Sequence, residues 1–305
     1  MLKKCQVLVD KSASGKTRDW AKHKYENRFI ALAYKEIDKR KAERMESCAN
    51  WLAFVRKEET LRLHSARFCR VRLCPVCQWR RSLKTFAQMS QVLSTATSQG
   101  YQFIFLTLTV KNCKGDKLSD ELTALLLAFN KLTKYKDVKA ICKGYYRGCE
   151  VTHNISTDEF HPHLHCILAV NKSYFKSKTY LSHARWTELW QRALKVNYTP
   201  IVDVRRCNGG VKAVAEACKY TVKPSELLDG DWDMTVETVK TLDSALENRR
   251  FIGLGGIFKD IHRALHLDDM EDGDLVNLTD EQEQVGTDEE IYYFWNGYNR
   301  YERFE

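Results

Sequence analysis

The sequence predicts an α+β fold: a central antiparallel sheet with flanking helices, preceded by a cysteine-rich segment. Three observations predict it. From residue 101 onward, β-branched and aromatic runs alternate with stretches of helical periodicity, and two of those runs stand in tandem as a hairpin. Four cysteines, Cys48, Cys69, Cys74 and Cys77, gather ahead of this region. No stretch reaches the ~18 apolar residues that a membrane span requires.

The elements follow in order. Trp20 to Met45 mixes apolar and charged residues at helical spacing, as an exposed or DNA-facing helix does. "WRRSLKTFAQMSQVLSTATSQG" is a second helix, ended by Gly100 in the left-handed position after its last turn. "FIFLTLTV" (103–110) is a strand, and "SDELTALLLAFNKLTKY" (119–135) is a helix with Ser119 as N-cap and acids in its first turn. "YYRGCEVTH" and "HLHCILAV" are strands joined by the turn-like "NISTDEF". "SHARWTELWQRALK" (182–195) is a helix, "PIVDVRRC" a strand, and "VKAVAEACKYTVK" (211–223) a helix closed by Pro224. The order β-α-β-β-α-β is that of the ferredoxin-like unit, an antiparallel sheet with its helices on one face.

The chain is expected to divide into a basic helical region (1–47), a cysteine-rich segment (48–100) with candidate zinc- and DNA-binding features, a sheet domain (101–266) and an acidic tail (267–305). The tail is a candidate for disorder up to "IYYFWNGYNRYERF", which is too aromatic for a linker.

Charge narrows the function. The formal net charge is +9, yet residues 268–290 contain eleven acidic residues and no basic one, so the rest of the chain is far more basic than the total suggests. Such a body suits a polyanion, above all nucleic acid, because neutralising phosphates releases condensed counterions. The N-terminal "MLKKCQVLVDKSASGK" is charged where a secretory leader is apolar, so the chain is expected in the cytosol with no membrane partner. Eleven cysteines in 35.6 kDa are too few for a disulfide scaffold, and closely spaced ones in a reducing compartment more often bind metal.

"EFHPHLHCIL" carries His161, His163 and His165 at alternating positions. On a strand these share one face, with successive imidazoles about 7 Å apart along the chain. His163 and His165 can share a cation if a third ligand joins them, and Glu150 on the preceding strand is the candidate. Two imidazoles and a carboxylate suit a divalent ion that keeps open positions, Mg²⁺, Mn²⁺ or a transition metal. A histidine-triad nucleotide phosphohydrolase is a competing reading that Pro162 fits poorly. Satisfied core or surface histidines are the plain alternative.

The helix carrying "EACKY" stacks Glu216 and Tyr220 four residues apart, flanked by Lys219 and Lys223. A phenol beside ammonium groups has a depressed pKa and can attack a phosphodiester whose oxygens a metal polarises. An amphipathic surface helix held by Glu-Lys pairs would look the same.

"CRVRLCPVCQWRR" spaces Cys69, Cys74 and Cys77 as a closed structural zinc site needs, with Cys48 or His64 as fourth ligand. Arg67, Arg70, Arg72, Arg80 and Arg81 surround it with Trp79, a composition suited to nucleic-acid backbone contacts. Trp186, Trp190, Tyr145 and Tyr146 are candidates for stacking on a single strand, although core packing suits most of them.

Taken together and in this order, "CRVRLCPVCQWRR", "FLTLTV", "HPHLHCIL" and "EACKYTVK" resemble the replication initiators of small rolling-circle plasmids, within the His-hydrophobic-His (HUH) endonucleases. The similarity is to the subgroup with a single tyrosine preceded by a glutamate four positions earlier. It runs from about Cys48 to Lys259, including "RRFIGLGGIFKD". The resemblance implies an HUH nickase domain over 101–266 that nicks one strand at the double-strand origin, leaves a 3′-hydroxyl primer and closes the strand at termination.

It further implies Tyr220 as nucleophile, forming a 5′-phosphotyrosine bond, and Glu216 as activator of water at termination. His163, His165 and Glu150 are the implied metal ligands, and Thr107 and Thr109 the floor of the site. The implied partners are origin DNA, single-stranded or cruciform at the nick, and a host helicase, since no Walker-type loop is present. A homodimer is a further candidate assembly. An HUH transposase shares the chemistry, and a non-catalytic zinc-dependent DNA-binding protein shares the cysteine segment.

Overall fold

In the computed structural model the residues described are 5–12, 15–57, 60–207, 211–218, 221–228, 230–278 and 289–304. The elements are β1 (Cys5–Val7), α1 (Trp20–Ile37), α2 (Lys39–Glu46), β2 (Trp51–Lys57), β3 (Thr60–Ala66), α3 (Pro75–Ser98), β4 (Tyr101–Thr109), α4 (Gly115–Leu132), α5 (Lys136–Ile141), β5 (Gly144–Asn154) and β6 (Glu159–Asn171). Then come α6 (His183–Leu194), β7 (Val202–Cys207), α7 (Val211–Ala217), α8 (Pro224–Leu228), α9 (Trp232–Leu246), β8 (Ile252–Gly256), α10 (Ile257–Ala264), β9 (Glu290–Trp295) and β10 (Tyr301–Phe304). Two antiparallel sheets of five strands result, ordered β1-β10-β9-β2-β3 and β7-β4-β6-β5-β8. The protein is a mixed α+β molecule of two compact units, Met1–Arg81 with Leu227–Lys240 and Asp274–Glu305, and Ser82–Glu226 with Thr241–Gly273.

The first unit holds the first sheet. Its long N-terminal helix breaks at Asp38, whose extended backbone lets its carboxylate cap the amides of Arg40 and Lys41, so the expected helix becomes α1 and α2. Trp20 is buried, donates to Asp10 at 2.8 Å and meets Trp79 edge-on at 4.8 Å. The strands β9 and β10 come from the segment read as an acidic tail. The alternation in "EIYYFW" puts Tyr293 inward and Tyr292 outward, the pattern of a half-buried strand. Residues 267–278 are likewise packed, with Met270, Glu271 and Leu275 buried, so disorder does not describe this segment among its described residues.

In the second unit β4 pairs on one side with β6 and on the other with β7, while β5 pairs with β6 and β8. Helices cover both faces, not one. Phe103, Phe105, Tyr146 and Ile167 pack with Met89, Val92 and Leu93 of α3 and with Phe258 and Ile261 of α10. On the opposite face Phe129 of α4 meets Tyr145 edge-on, and Trp190 of α6 donates to the Thr109 carbonyl at 2.8 Å. The sequence already carries this, since Phe103 to Leu106 are all buried, as in a strand with two covered faces.

Three boundaries differ from expectation. Ser119 lies inside α4, which starts four residues earlier at Gly115, and β7, expected from Pro200, begins at Val202. Pro224 opens α8 instead of closing a long helix, as a residue without an amide hydrogen can at a first helical position. α7 ends at Ala217.

Candidate metal centres

The pleat and register of the second sheet build one site. Glu150, His163 and Thr109 stand opposite one another on β5, β6 and β4, as do Gly148, His165 and Thr107 in the adjacent row. Directly opposed residues share a face, so these two rows continue the face that Phe105, Ile167 and Tyr146 cover further along the strands. Over two residues the same face passes from apolar core to imidazole, hydroxyl and carboxylate. Pro162 is tolerated inside β6 because His163 is the last residue paired with β4.

Glu150 Oε2 lies 3.0 Å from His165 Nε2 and 3.3 Å from His163 Nε2, all three side chains buried. An octahedral ion ~2.1 Å from each ligand leaves neighbouring ligands ~3 Å apart, so the donors fit a small divalent cation. The outward ring nitrogens are also engaged, His163 Nδ1 with the His161 carbonyl at 3.1 Å and His165 Nδ1 with Thr107 Oγ1 at 3.3 Å. Such partners fix the tautomer that directs Nε2 at a metal. Burial pushes the Glu150 carboxyl up, but hydrogen bonds from His163 and His165 and the charge of Lys223 outweigh it and hold it well below the ordinary range.

Lys223 Nζ is 3.2 Å from Glu150 Oε1 and 3.0 Å from Glu226. Glu226, which sequence reasoning missed, also accepts from the amide of His153 at 3.2 Å. Gly148 admits α7 to the sheet, because a Cβ there would lie 2.7 Å from the Ala217 carbonyl. That carbonyl accepts from Tyr146 Oη at 3.2 Å, and the Thr221 carbonyl accepts from the amide of Val151 at 2.7 Å. Glu216 is half-buried on α7; Lys219 and Tyr220 lie outside the described residues. His161 stacks on His163 at 5.2 Å and is outside the ligand group, which separates the site from a three-histidine arrangement.

The second centre lies in the first unit. Cys48, Cys69, Cys74 and Cys77 are all buried, with Cys48–Cys77, Cys69–Cys77 and Cys48–Cys74 sulfurs each 3.7 Å apart. A tetrahedron with metal–sulfur bonds of ~2.3 Å has edges of ~3.8 Å, so the group fits a closed zinc site. Cys48, not His64, is the fourth member; His64 is paired with Glu290 at 2.9 Å. Ala49 and Arg70, each following a ligand cysteine, have φ of 52° and 58°. The turn at Arg70 aims its amide at Cys77 Sγ at 3.3 Å, while the Cys69 amide meets Cys48 Sγ at 3.4 Å. Burial pushes the Cys74 thiol well up, which a cation reverses.

A charge the sequence did not reveal stands behind this knot. Lys24 is buried and donates to the carbonyls of Cys48 at 2.6 Å and Glu46 at 3.0 Å. Burial pushes its ammonium down, and the thiols of Cys48, Cys74 and Cys69 oppose that shift.

The arginine group is split. Arg80 is buried, donates to the carbonyls of Leu275 and Val276, and lies over Trp20; Trp79 is buried against Trp20 and His23. Both are occupied in packing. Arg70 is exposed, and Arg72 and Arg81 are half-buried. Trp186, Trp190 and Tyr146 are core residues. No described helix is long and apolar enough to cross a membrane.

With these two centres in place, an α+β protein carrying a four-cysteine knot and a Glu-His-His group is defined, and comparison supplies the family. Residues 60–302 match the Rep_1 family, replication protein, and the chain belongs to it. It is 42% identical over 322 residues to a protein rep of Bacillus amyloliquefaciens, covering 95% of each chain. A protein rep of Lactiplantibacillus plantarum is 39% identical (95% of this chain, 96% of the relative), and one of Streptococcus pneumoniae 37% identical (95% and 93%). No solved structure matches.

Proposed function

We propose that this replication protein initiates rolling-circle replication of a plasmid by nicking one strand at the double-strand origin through Tyr220. The observation that carries the reading is the Glu150-His163-His165 group at the end of the central strands, with Lys223 on its carboxylate. The four core strands lie in the order fourth, first, third, second, which supports the ferredoxin-like HUH arrangement. Thr221, the residue after Tyr220, bonds to the strand residue next to Glu150, which supports a phenol delivered beside the ligands.

In this reading His163, His165 and Glu150 would hold Mg²⁺ or Mn²⁺, which would supply charge to polarise the scissile phosphoryl group. Tyr220 Oη attacks phosphorus as the phenolate, with Lys219 and Lys223 lowering the cost of its charge. The bond to the 3′-oxygen breaks, and that oxygen takes up a proton to become the primer hydroxyl. The 5′-phosphotyrosine ester conserves the bond energy for religation; at termination Glu216 takes a proton from a water whose oxygen attacks phosphorus, and the bond to Tyr220 Oη breaks, the phenolate taking up a proton. Cys48, Cys69, Cys74 and Cys77 would hold Zn²⁺ as a structural ion, and Arg70, Arg72 and Arg81 contact the DNA backbone. A host helicase opens the duplex.

The test incubates the protein with supercoiled origin plasmid and Mn²⁺ and looks for a covalent protein-DNA adduct. Tyr220→Phe is expected to form none, and EDTA to abolish nicking. An adduct formed by Tyr220→Phe overturns the reading.

A further inference from the structure

The row that holds the Glu-His-His group does not stop at β4. Thr109 donates through its amide, at 3.3 Å, and through Oγ1, at 2.9 Å, to the carbonyl of Ile201, the residue before β7. Because Leu108 stands opposite Val202, Ile201 stands opposite Thr109 and continues the row Glu150, His163, Thr109 on the same face. At ~4.8 Å per strand the row is about 14 Å long.

Its two ends differ. At the Glu150 end Lys223 meets the carboxylate, the Ala217 carbonyl lies over Gly148, and the Thr221 carbonyl pairs with the edge of β5 at Val151. At the other end Ile201 is 75% exposed, an apolar side chain held in solvent by a backbone fixed on both atoms of Thr109. Beside it the amide of Lys111 donates to Tyr198 Oη at 3.2 Å, and Lys111 Nζ lies 4.3 Å from the Tyr198 ring. Two rows along the same face, Arg205 is more than half exposed, stacked on Phe105 at 4.7 Å and 3.5 Å from Asp203. An exposed apolar group and a half-buried aromatic ring between two cations suit a single-stranded nucleic acid, since bases stack while phosphates follow positive charge.

Building on the nickase reading, we propose that Ile201, Tyr198, Lys111 and Arg205 form a subsite for the single strand that enters the metal site across β4 and β7. The base next to the scissile phosphate rests on Ile201 and Tyr198, and Lys111 and Arg205 carry the flanking phosphates.

The measurement is anisotropy of a fluorescein-labelled thymidine oligonucleotide over a salt series, without turnover. Lys111→Gln with Arg205→Gln is expected to lower the slope of log affinity against log salt by about 1.4, at ~0.7 per phosphate contact on a single strand. Ile201→Asp and Tyr198→Ala are each expected to weaken binding about tenfold. Lys111, Ile201 and Arg205 are exposed, so thermal midpoints of their variants should stay at the wild-type value. Bromodeoxyuridine in the same oligonucleotide should crosslink to residues 195–201. Wild-type affinity and slope in all variants, or crosslinks confined to other segments, overturn the proposal. Adduct formation by Tyr220→Phe would instead remove the nickase reading and leave the binding result standing, so the two failures are distinguishable.

Discussion

Lys24 Nζ donates to the carbonyl of Cys48 at 2.6 Å, placing a buried ammonium behind one thiol of the four-cysteine group. Four thiolates around Zn²⁺ carry a net charge of about −2, so a fixed cation there stabilises the loaded site. Lys24→Met is expected to raise zinc affinity loss to a competing chelator by about 10- to 100-fold, the usual effect of removing an outer partner. Release followed with a metallochromic dye checks this; wild-type release would sink it.

Removing the metal should unfold the first unit selectively. Its sheet is anchored at Cys48, and thiolates bind metal only when deprotonated, so release is expected to grow as pH falls. One zinc per chain by elemental analysis, and loss of near-ultraviolet dichroism from Trp20 and Trp79 on chelation, are the expected results. Cys74→Ser should abolish both.

At Arg70 the backbone is left-handed, a conformation that glycine adopts freely. Arg70→Gly should therefore keep the thermal midpoint or raise it slightly. Duplex affinity should nevertheless fall, with the salt slope reduced by about 0.9 if one phosphate contact is lost. A lowered midpoint with unchanged slope would refute both halves.

Gly148→Val would push a side chain into the Ala217 carbonyl, 2.7 Å from the position of a Cβ. We expect a stability loss of about 1–3 kcal/mol by denaturant titration and loss of nicking, because α7 carries Glu216. Nicking at the wild-type rate would show that α7 need not sit on the sheet.

Glu150→Gln removes the only carboxylate of the ligand group but keeps its shape. Mn²⁺ binding, followed by electron paramagnetic resonance, should weaken at least tenfold, while zinc content stays at the wild-type level. Equal loss of both metals would mean that the change unfolded the chain.

Much of the second unit was legible. Alternation on "HLHCIL" put His163 and His165 on one face, and the hairpin brought Glu150 opposite His163. The cysteine spacing pointed to the knot. What could not be read locally was anything set by distant pairing: β9 beside β2, Lys24 beside Cys48, or Glu226 on Lys223. Burial was misleading for the same reason, because Arg80 and Trp79 resemble surface groups until Trp20, Leu275 and Val276 enclose them. Ser119 was a sound capping residue, but Lys114 supplied the extended backbone one turn earlier.

The first sheet interleaves the two ends of the sequence, with β1 on β10 and β9 on β2. During synthesis β2 and β3 emerge early and must wait, with one edge of β2 unpaired, until residues 290–295 are made. The second unit needs nothing beyond Gly273. The half of the molecule translated first is thus the half completed last, and a ribosome stalled before residue 290 would release a chain with its second sheet assembled and its cysteine unit open to aggregation along that strand edge.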